Sequence, residues 1–209
     1  MSLLMRATEV EKRVVVTLAG DDVAQLKDVV YSADGDVVGF TLNGRGLFAG
    51  PRKDALPWSA VTALGPDAVV VADDTVFVPR DDVVERAAQR GGTRGGHVIG
   101  SRVLTDAGLD LGEVTDVVLE VDTTRAVLVG YQIKPTDALG TDRHTALIPM
   151  PAAMAVSGEN LVVPAAATEF VSDDLAGFGA AVDAFRARLA SGTGPATAPV
   201  TGPTGGVAP

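Results

Sequence analysis

The sequence predicts a mainly β protein made of two small β-barrels in tandem, each followed by a short or medium α-helix. Three observations carry that prediction. First, one stretch occurs twice. Residues 15–34 (VVTLAGDDVAQLKDVVYSAD) and 103–122 (VLTDAGLDLGEVTDVVLEVD) align without a gap at an offset of 88, with nine of 20 positions identical. A repeat of this kind sets the architecture and is read before anything else. Second, short β-branched runs bounded by Asp, Gly and Pro recur through each copy, as strands joined by tight turns do. Third, a short helix pattern at 81–89 and an amphipathic one at 173–190 each follow one copy. The repeat extends beyond its core. At an offset of 91, Val38-Gly39-Phe40 meets Val129-Gly130-Tyr131. At 92, Leu56-Pro57 meets Ile148-Pro149 and Val69-Val70-Val71 meets Leu161-Val162-Val163. The insertions fall where loops tolerate them.

Residues 14–18 read as a strand, and Ala19-Gly20-Asp21-Asp22 as a turn. Residues 26–33 form the next strand. Val29, Tyr31 and Ala33 alternate on one face, but Leu26 has the other parity; Val117, Leu119 and Val121 against Val114 repeat the slip. A one-residue slip turns every side chain over. A β-bulge near Lys27-Asp28 and near Thr115-Asp116 restores the register and bends the strand, as a small barrel requires. Asp34-Gly35 is a hairpin turn into a strand at 37–42. Asn43-Gly44-Arg45-Gly46 and Gly50-Pro51 break the chain and make 43–53 a loop. Leu56-Pro57-Trp58 opens a short segment to Leu64. Residues 68–72 are a fully apolar strand, and Asp73-Asp74 turns into Val76-Phe77-Val78. Residues 81–89 form a helix with acids first and Gly91-Gly92 after it. In the second copy the hairpin strands are 114–121 and 126–133, followed by a polar loop at 134–145.

In the helix at 173–190, Leu175, Phe178, Val182, Phe185 and Leu189 share one face, so it packs on a barrel or on a neighbouring chain. Ser172 or Asp173 can cap its start. The organisation predicted is a first barrel with its helix at 5–90, a Gly-rich linker at 91–96, a second barrel with its helix at 97–190, and a disordered Gly/Pro/Thr/Ala tail at 191–209. Met1-Ser2-Leu3 resembles a cloning remnant and is given no place in the fold.

Composition narrows the function classes. Hydrophobic residues make up 46% of the chain, which suits a globular protein. No apolar run reaches 18 residues, so no spanning helix is expected, and no basic-then-apolar leader is visible. The absence of cysteine excludes disulfides and thiolate metal sites. These features together lead to an expected cytoplasmic location. A net charge of −10 without a Lys/Arg cluster argues against direct nucleic-acid binding and against anionic lipid. Partners are expected to be proteins, basic ones among them.

Both copies resemble the PRC-barrel family, on residues 15–34, Val38-Gly39-Phe40, Leu56-Pro57-Trp58 and Ala68-Val69-Val70-Val71, and on 100–122, Val129-Gly130-Tyr131, Leu147-Ile148-Pro149 and Leu161-Val162-Val163. The resemblance covers roughly residues 10–80 and 98–165. The family is known from the cytoplasmic domain of the photosynthetic reaction-centre H subunit and from the C-terminal domain of a ribosome maturation factor. It implies binding and assembly rather than catalysis. These 209 residues contain neither the maturation factor's other barrel nor the H subunit's membrane helix, so neither specific role is carried over.

The candidate residues each have a structural alternative. Asp28 and Asp116 sit at equivalent bulge positions. They are either a paired acid for proton handling or partner binding, or carboxylates that accept N–H groups freed by the bulge; the second reading is favoured. Arg45, Leu47, Phe48, Arg52 and Lys53 mix apolar and basic character on one loop. They form either a recognition surface or a plug for one barrel mouth. Trp58 is either an exposed partner anchor or, because Met150 occupies its counterpart, core. His97, His144 and Asp142 lack metal-like spacing and read as solvated loop residues. Gly91-Gly92-Thr93-Arg94-Gly95-Gly96 lacks the Gly-Lys-Ser/Thr ending of a phosphate loop. Neither Ser157 nor Ser172 has a base at a suggestive position. No catalytic residue, cofactor site or metal site is assigned. The expected function is a non-enzymatic protein-binding, scaffold or assembly module. The alternatives are a ribosome or ribonucleoprotein assembly factor acting through a basic protein, and a small-ligand binder or enzyme. A homodimer through the terminal helix stripe is a further expectation.

Overall fold

The computed structural model describes residues 2–45, 49–90, 93–94, 98–122, 124–141, 143–150, 156–157 and 160–191. The chain opens with β1 (Leu3–Arg6) and a one-turn helix α1 (Ala7–Val10). Then come β2 (Val14–Thr17), β3 (Asp22–Tyr31), β4 (Val37–Asn43), β5 (Pro51–Pro57), β6 (Val61–Leu64), β7 (Ala68–Val71), β8 (Val78–Pro79) and helix α2 (Arg80–Gln89). The second half holds β9 (Thr93–Arg94), β10 (Arg102–Thr105), β11 (Asp110–Val121), β12 (Ala126–Pro135), β13 (Ala146–Pro149), β14 (Val156–Ser157), β15 (Asn160–Val163) and helix α3 (Leu175–Ala190). No helix among the described residues is long and apolar enough to cross a membrane.

The strands form two separate curled sheets, each a half-barrel. The first runs β6-β7-β2-β3-β4-β5-β8, and the second β14-β15-β10-β11-β12-β13. The order of six strands is the same in both, with no counterpart strand to β8 among the described residues, and most of their register is shared. Val29 pairs Phe40 as Val117 pairs Tyr131. Gly39 pairs Pro57 as Gly130 pairs Pro149. The parallel pair β2–β7 (Val14↔Ala68) recurs as β10–β15 (Arg102↔Asn160). The offsets of 88, 91 and 92 in the sequence are therefore also offsets in hydrogen bonding. The register shifts between Leu26 and Val29 and between Val114 and Asp116, where the slip in apolar parity placed the two bulges. The hairpin at Asp34-Gly35 turns through Gly35 at φ +85°, its N–H bonded to Ser32 O. Only glycine adopts that φ cheaply.

Each helix lies across the outer face of its hairpin. Val83 and Ala87 of α2 pack on Val30, Val38 and Ala55; Phe178 and Val182 of α3 pack on Val118, Val129 and Leu147. Gly39 and Gly130 let those helices approach. A Cβ at Gly39 would lie inside 3.0 Å of Leu56 O and 3.1 Å from Val83 Cγ1. At Gly130 it would lie 2.5 Å from Ile148 O and press into the Phe178 ring. The α3 stripe is thus used inside the chain, with Phe178 and Phe185 fully buried and Val182 at 3% exposure. A homodimer would need another surface. The helix is capped by Asp174, which accepts from Gly177 N–H at 2.8 Å, rather than by Ser172 or Asp173.

Three departures from the sequence reading matter. Leu3, set aside with the remnant Met1-Ser2-Leu3, opens a strand that runs to Arg6 and pairs β11 of the second sheet rather than the first. Thr93–Arg94, read as linker, is a strand pairing β3 of the first. The two barrels, set out as separate units at 5–90 and 97–190, also share an interior. One apolar cluster runs from Val15, Leu26, Phe40 and Leu56 through Met5, Tyr31 and Met150 to Val103, Val117, Tyr131 and Leu161. The physical reason is the crossing of β1 and the meeting of the hairpins, where Leu128 N–H donates to Gly35 O at 2.8 Å.

Candidate functional site

The basic loop foreseen at 43–53 is only partly a loop. Pro51 begins β5, a position where its missing N–H costs the ladder little. Arg52 and Lys53 therefore alternate on a strand. Arg52 turns inward and is fully engaged. Its Nε and Nη2 donate to Asp54 Oδ1 and Oδ2, both at 2.7 Å, and its Nη1 donates to Val23 O at 2.8 Å. Its guanidinium also stands 5.1 Å from the Phe77 ring centroid. The hydrogen bonds from Arg52 hold the Asp54 carboxyl below the usual carboxylate range. Lys53 is exposed. Arg45 is exposed and 3.7 Å from Asp22. Leu47 and Phe48 lie outside the described residues, as do His97, Asp142 and the tail from 192 onward.

Trp58 follows β5 in a single 3-10 turn and is neither plain core nor a free anchor. Its indole N–H donates to Thr124 O at 3.2 Å, tying the first half to the turn between β11 and β12. Its ring leans on Phe40 at 6.1 Å between centroids. It also lines a groove of about 250 Å³ with Leu3, Met5, Val61, Leu64 and Val121. The walls of that groove are β1 and β6, each hydrogen-bonded to a strand on one side only. Leu3 stands 55% exposed at its rim. The sequence does not signal this groove, because Leu3 falls in the stretch set aside and the four residues of β1 carry no periodicity to flag a strand.

The bulge carboxylates behave differently in the two halves. Asp116 is 3% exposed and accepts from Val117 N–H at 2.8 Å, from Thr8 N–H at 3.4 Å, and from the Thr8 hydroxyl. That is a carboxylate satisfying one local donor, Val117 N–H, and two donors of Thr8 in α1. Asp28 is partly exposed and accepts from the Thr41 hydroxyl at 2.9 Å, with Lys27 Nζ at 3.5 Å. The position matching Thr8 at an offset of 88 is Gly96, which offers no hydroxyl. Glu11, just after α1, lies within electrostatic reach of both aspartates. Burial raises its pKa, and Asp28 and Asp116 raise it further.

Where the hairpin tips meet, a cavity of about 420 Å³ is lined by Asp34, Glu120, Asp122, Arg125, Leu128 and Arg186. Its charges are matched locally: Arg186 to Glu120 at 3.4 Å, Arg125 to Asp36 at 3.6 Å, and Arg90 to Asp36 at 2.8 Å. Tyr31 and Tyr131 are buried nearby, and burial raises both phenol pKa values. Among the described residues, no group of three or more His, Asp or Glu is placed to hold a metal ion, and His144 is exposed. Ser172 donates its hydroxyl to Asp174 O at 3.0 Å.

No curated protein matches the chain. A family model does match, that of the PRC-barrel domain, over β1 to β8 of the first half. Residues 4–78 of this chain therefore form a PRC-barrel domain.

Proposed function

We propose that the chain is a non-catalytic, cytoplasmic protein-binding scaffold in which both halves are PRC-type barrels. The repeated register supports the second barrel, since β10 to β15 retain most of the pairings of β2 to β7 at the same offsets. The observation that carries the binding role is the apolar groove between β1 and β6. Exposed strand edges beside exposed apolar side chains are what a protein partner covers. The arginines at the centre of the molecule are committed to internal ion pairs, and that leaves shape and apolar contact as the means of recognition.

A Leu3→Arg/Leu64→Arg variant tests this. Affinity capture from the source cells with mass-spectrometric readout should enrich at least one protein on the natural chain. The variant should lose that protein while its melting temperature stays within a few degrees. Equal recovery on both baits would overturn the groove as the binding surface. A second reading, an assembly factor reached through a basic ribosomal protein, draws support from the net charge of −10. Co-sedimentation with ribosomal subunits that weakens with salt would favour it.

A further inference from the structure

The family match begins at residue 4, so β1 belongs by sequence to the first half. By hydrogen bonding it belongs to the second: Leu3 pairs Val121, Leu4 Glu120, Met5 Leu119 and Arg6 Val118. The converse also holds. Thr93 and Arg94, which lead into the second half, pair Tyr31 and Val30 of the first. The offset of 88 that relates the copies carries Met5↔Leu119 onto Thr93↔Tyr31 and Arg6↔Val118 onto Arg94↔Val30. The same edge in each half thus receives the same strand, each time from the other half.

We infer that this edge, residues 30–31 in one half and 118–121 in the other, is a strand-binding site whose ligand is the leading strand of the opposite copy. The chain is the single-chain form of a strand-exchanged dimer, and neither half is complete alone. Exchange of an identical element between two copies is the general route to such dimers. An uncovered edge leaves N–H and C=O groups unpaired. It also bares apolar side chains, because Met5 is 3% exposed and belongs to the same apolar cluster as Leu119 and Val121, themselves at 0% and 6%. Joining the copies in one chain makes the exchange intramolecular and raises the effective concentration of each strand. This inference concerns assembly and does not depend on the scaffold reading.

The chain has no cysteine, so an introduced pair reports alone. Leu4→Cys/Glu120→Cys places thiols on paired residues, and antiparallel Cα separations of about 4.5–5.5 Å suit a disulfide. A protease site inserted between Gly91 and Gly92 then allows the full-length protein to be cut after folding. Oxidation should give a monomer, and cutting it should leave both pieces linked on a non-reducing gel. Without the cysteines, the cut pieces should run together as a 1:1 complex in native mass spectrometry. A Met5→Asp change should weaken that complex about tenfold or more. Pieces that part as two folded monomers would overturn the inference. So would failure to crosslink, a crosslink between two full-length chains, or association indifferent to Met5→Asp.

Discussion

Adding one methyl group at Gly130 tests how the helices are seated. In Gly130→Ala the new Cβ meets Ile148 O at 2.5 Å and the Phe178 ring closer still. The carbonyl cannot retreat, because Gly130 and Pro149 are paired across β12 and β13 and Ile148 lies beside them. The ring can shift, but it is fully buried against Val118, Val129 and Leu147. Overpacking of this kind costs about 1–3 kcal/mol. The gain from replacing glycine in a strand returns about 0.5–1 kcal/mol. Because two contacts fail together, the net cost should sit near the upper end, about 2 kcal/mol, which lowers the melting temperature by about 4–8 °C for a chain of this size. Phe178→Ala alone should cost about 3–5 kcal/mol. In the double variant the ring clash is gone while the carbonyl clash stays, so the total should fall short of the sum by about 1 kcal/mol. Urea unfolding followed by far-ultraviolet circular dichroism measures all three. A neutral Gly130→Ala, or strictly additive costs, would refute the claim that glycine is there to admit the helix.

Further outcomes follow from other residues. Lys12 holds φ +67°, and its counterpart at an offset of 88 is Gly100 at φ +84°; Lys12→Gly should stabilise the protein by about 0.5–1 kcal/mol in the same assay. Because the folded pKa of Glu11 lies above its unfolded value, the folded state binds more protons in that window and stability falls as pH rises through it. Glu11→Gln should therefore be more stable than the natural chain at pH 7, with the advantage vanishing below about pH 4. An advantage independent of pH would refute this. Asp54 has the opposite sign: its folded pKa is depressed by Arg52, so its contribution is present above the unfolded pKa and is lost as pH falls through the folded one. Arg52→Ala should cost about 1–3 kcal/mol at pH 7 and flatten that acid limb, as read by urea midpoints across pH.

What the sequence determined by itself was most of what is local or periodic. The two copies, both bulges and both helices rest on parity, turn residues and helical spacing, and these features act within a few residues of one another. The bulge at Lys27-Asp28 was legible because a change of apolar parity has no other remedy in a paired strand. The candidate site was legible only in its residue types. Arg52 reads as a loop cation because Gly50-Pro51 signals a break, and a proline at the first position of a strand sends the same signal. Its attachment to Asp54 and Phe77 then followed from the strand alternation. The tertiary structure alone decided which edge each leading strand joins. Leu3–Arg6 is short and apolar, and β3 and β11 present near-equivalent edges, so side-chain pattern cannot choose between them. Chain connectivity and the shared interior of the two halves make that choice, and with it they create the groove beside Trp58 and the single core that joins the halves.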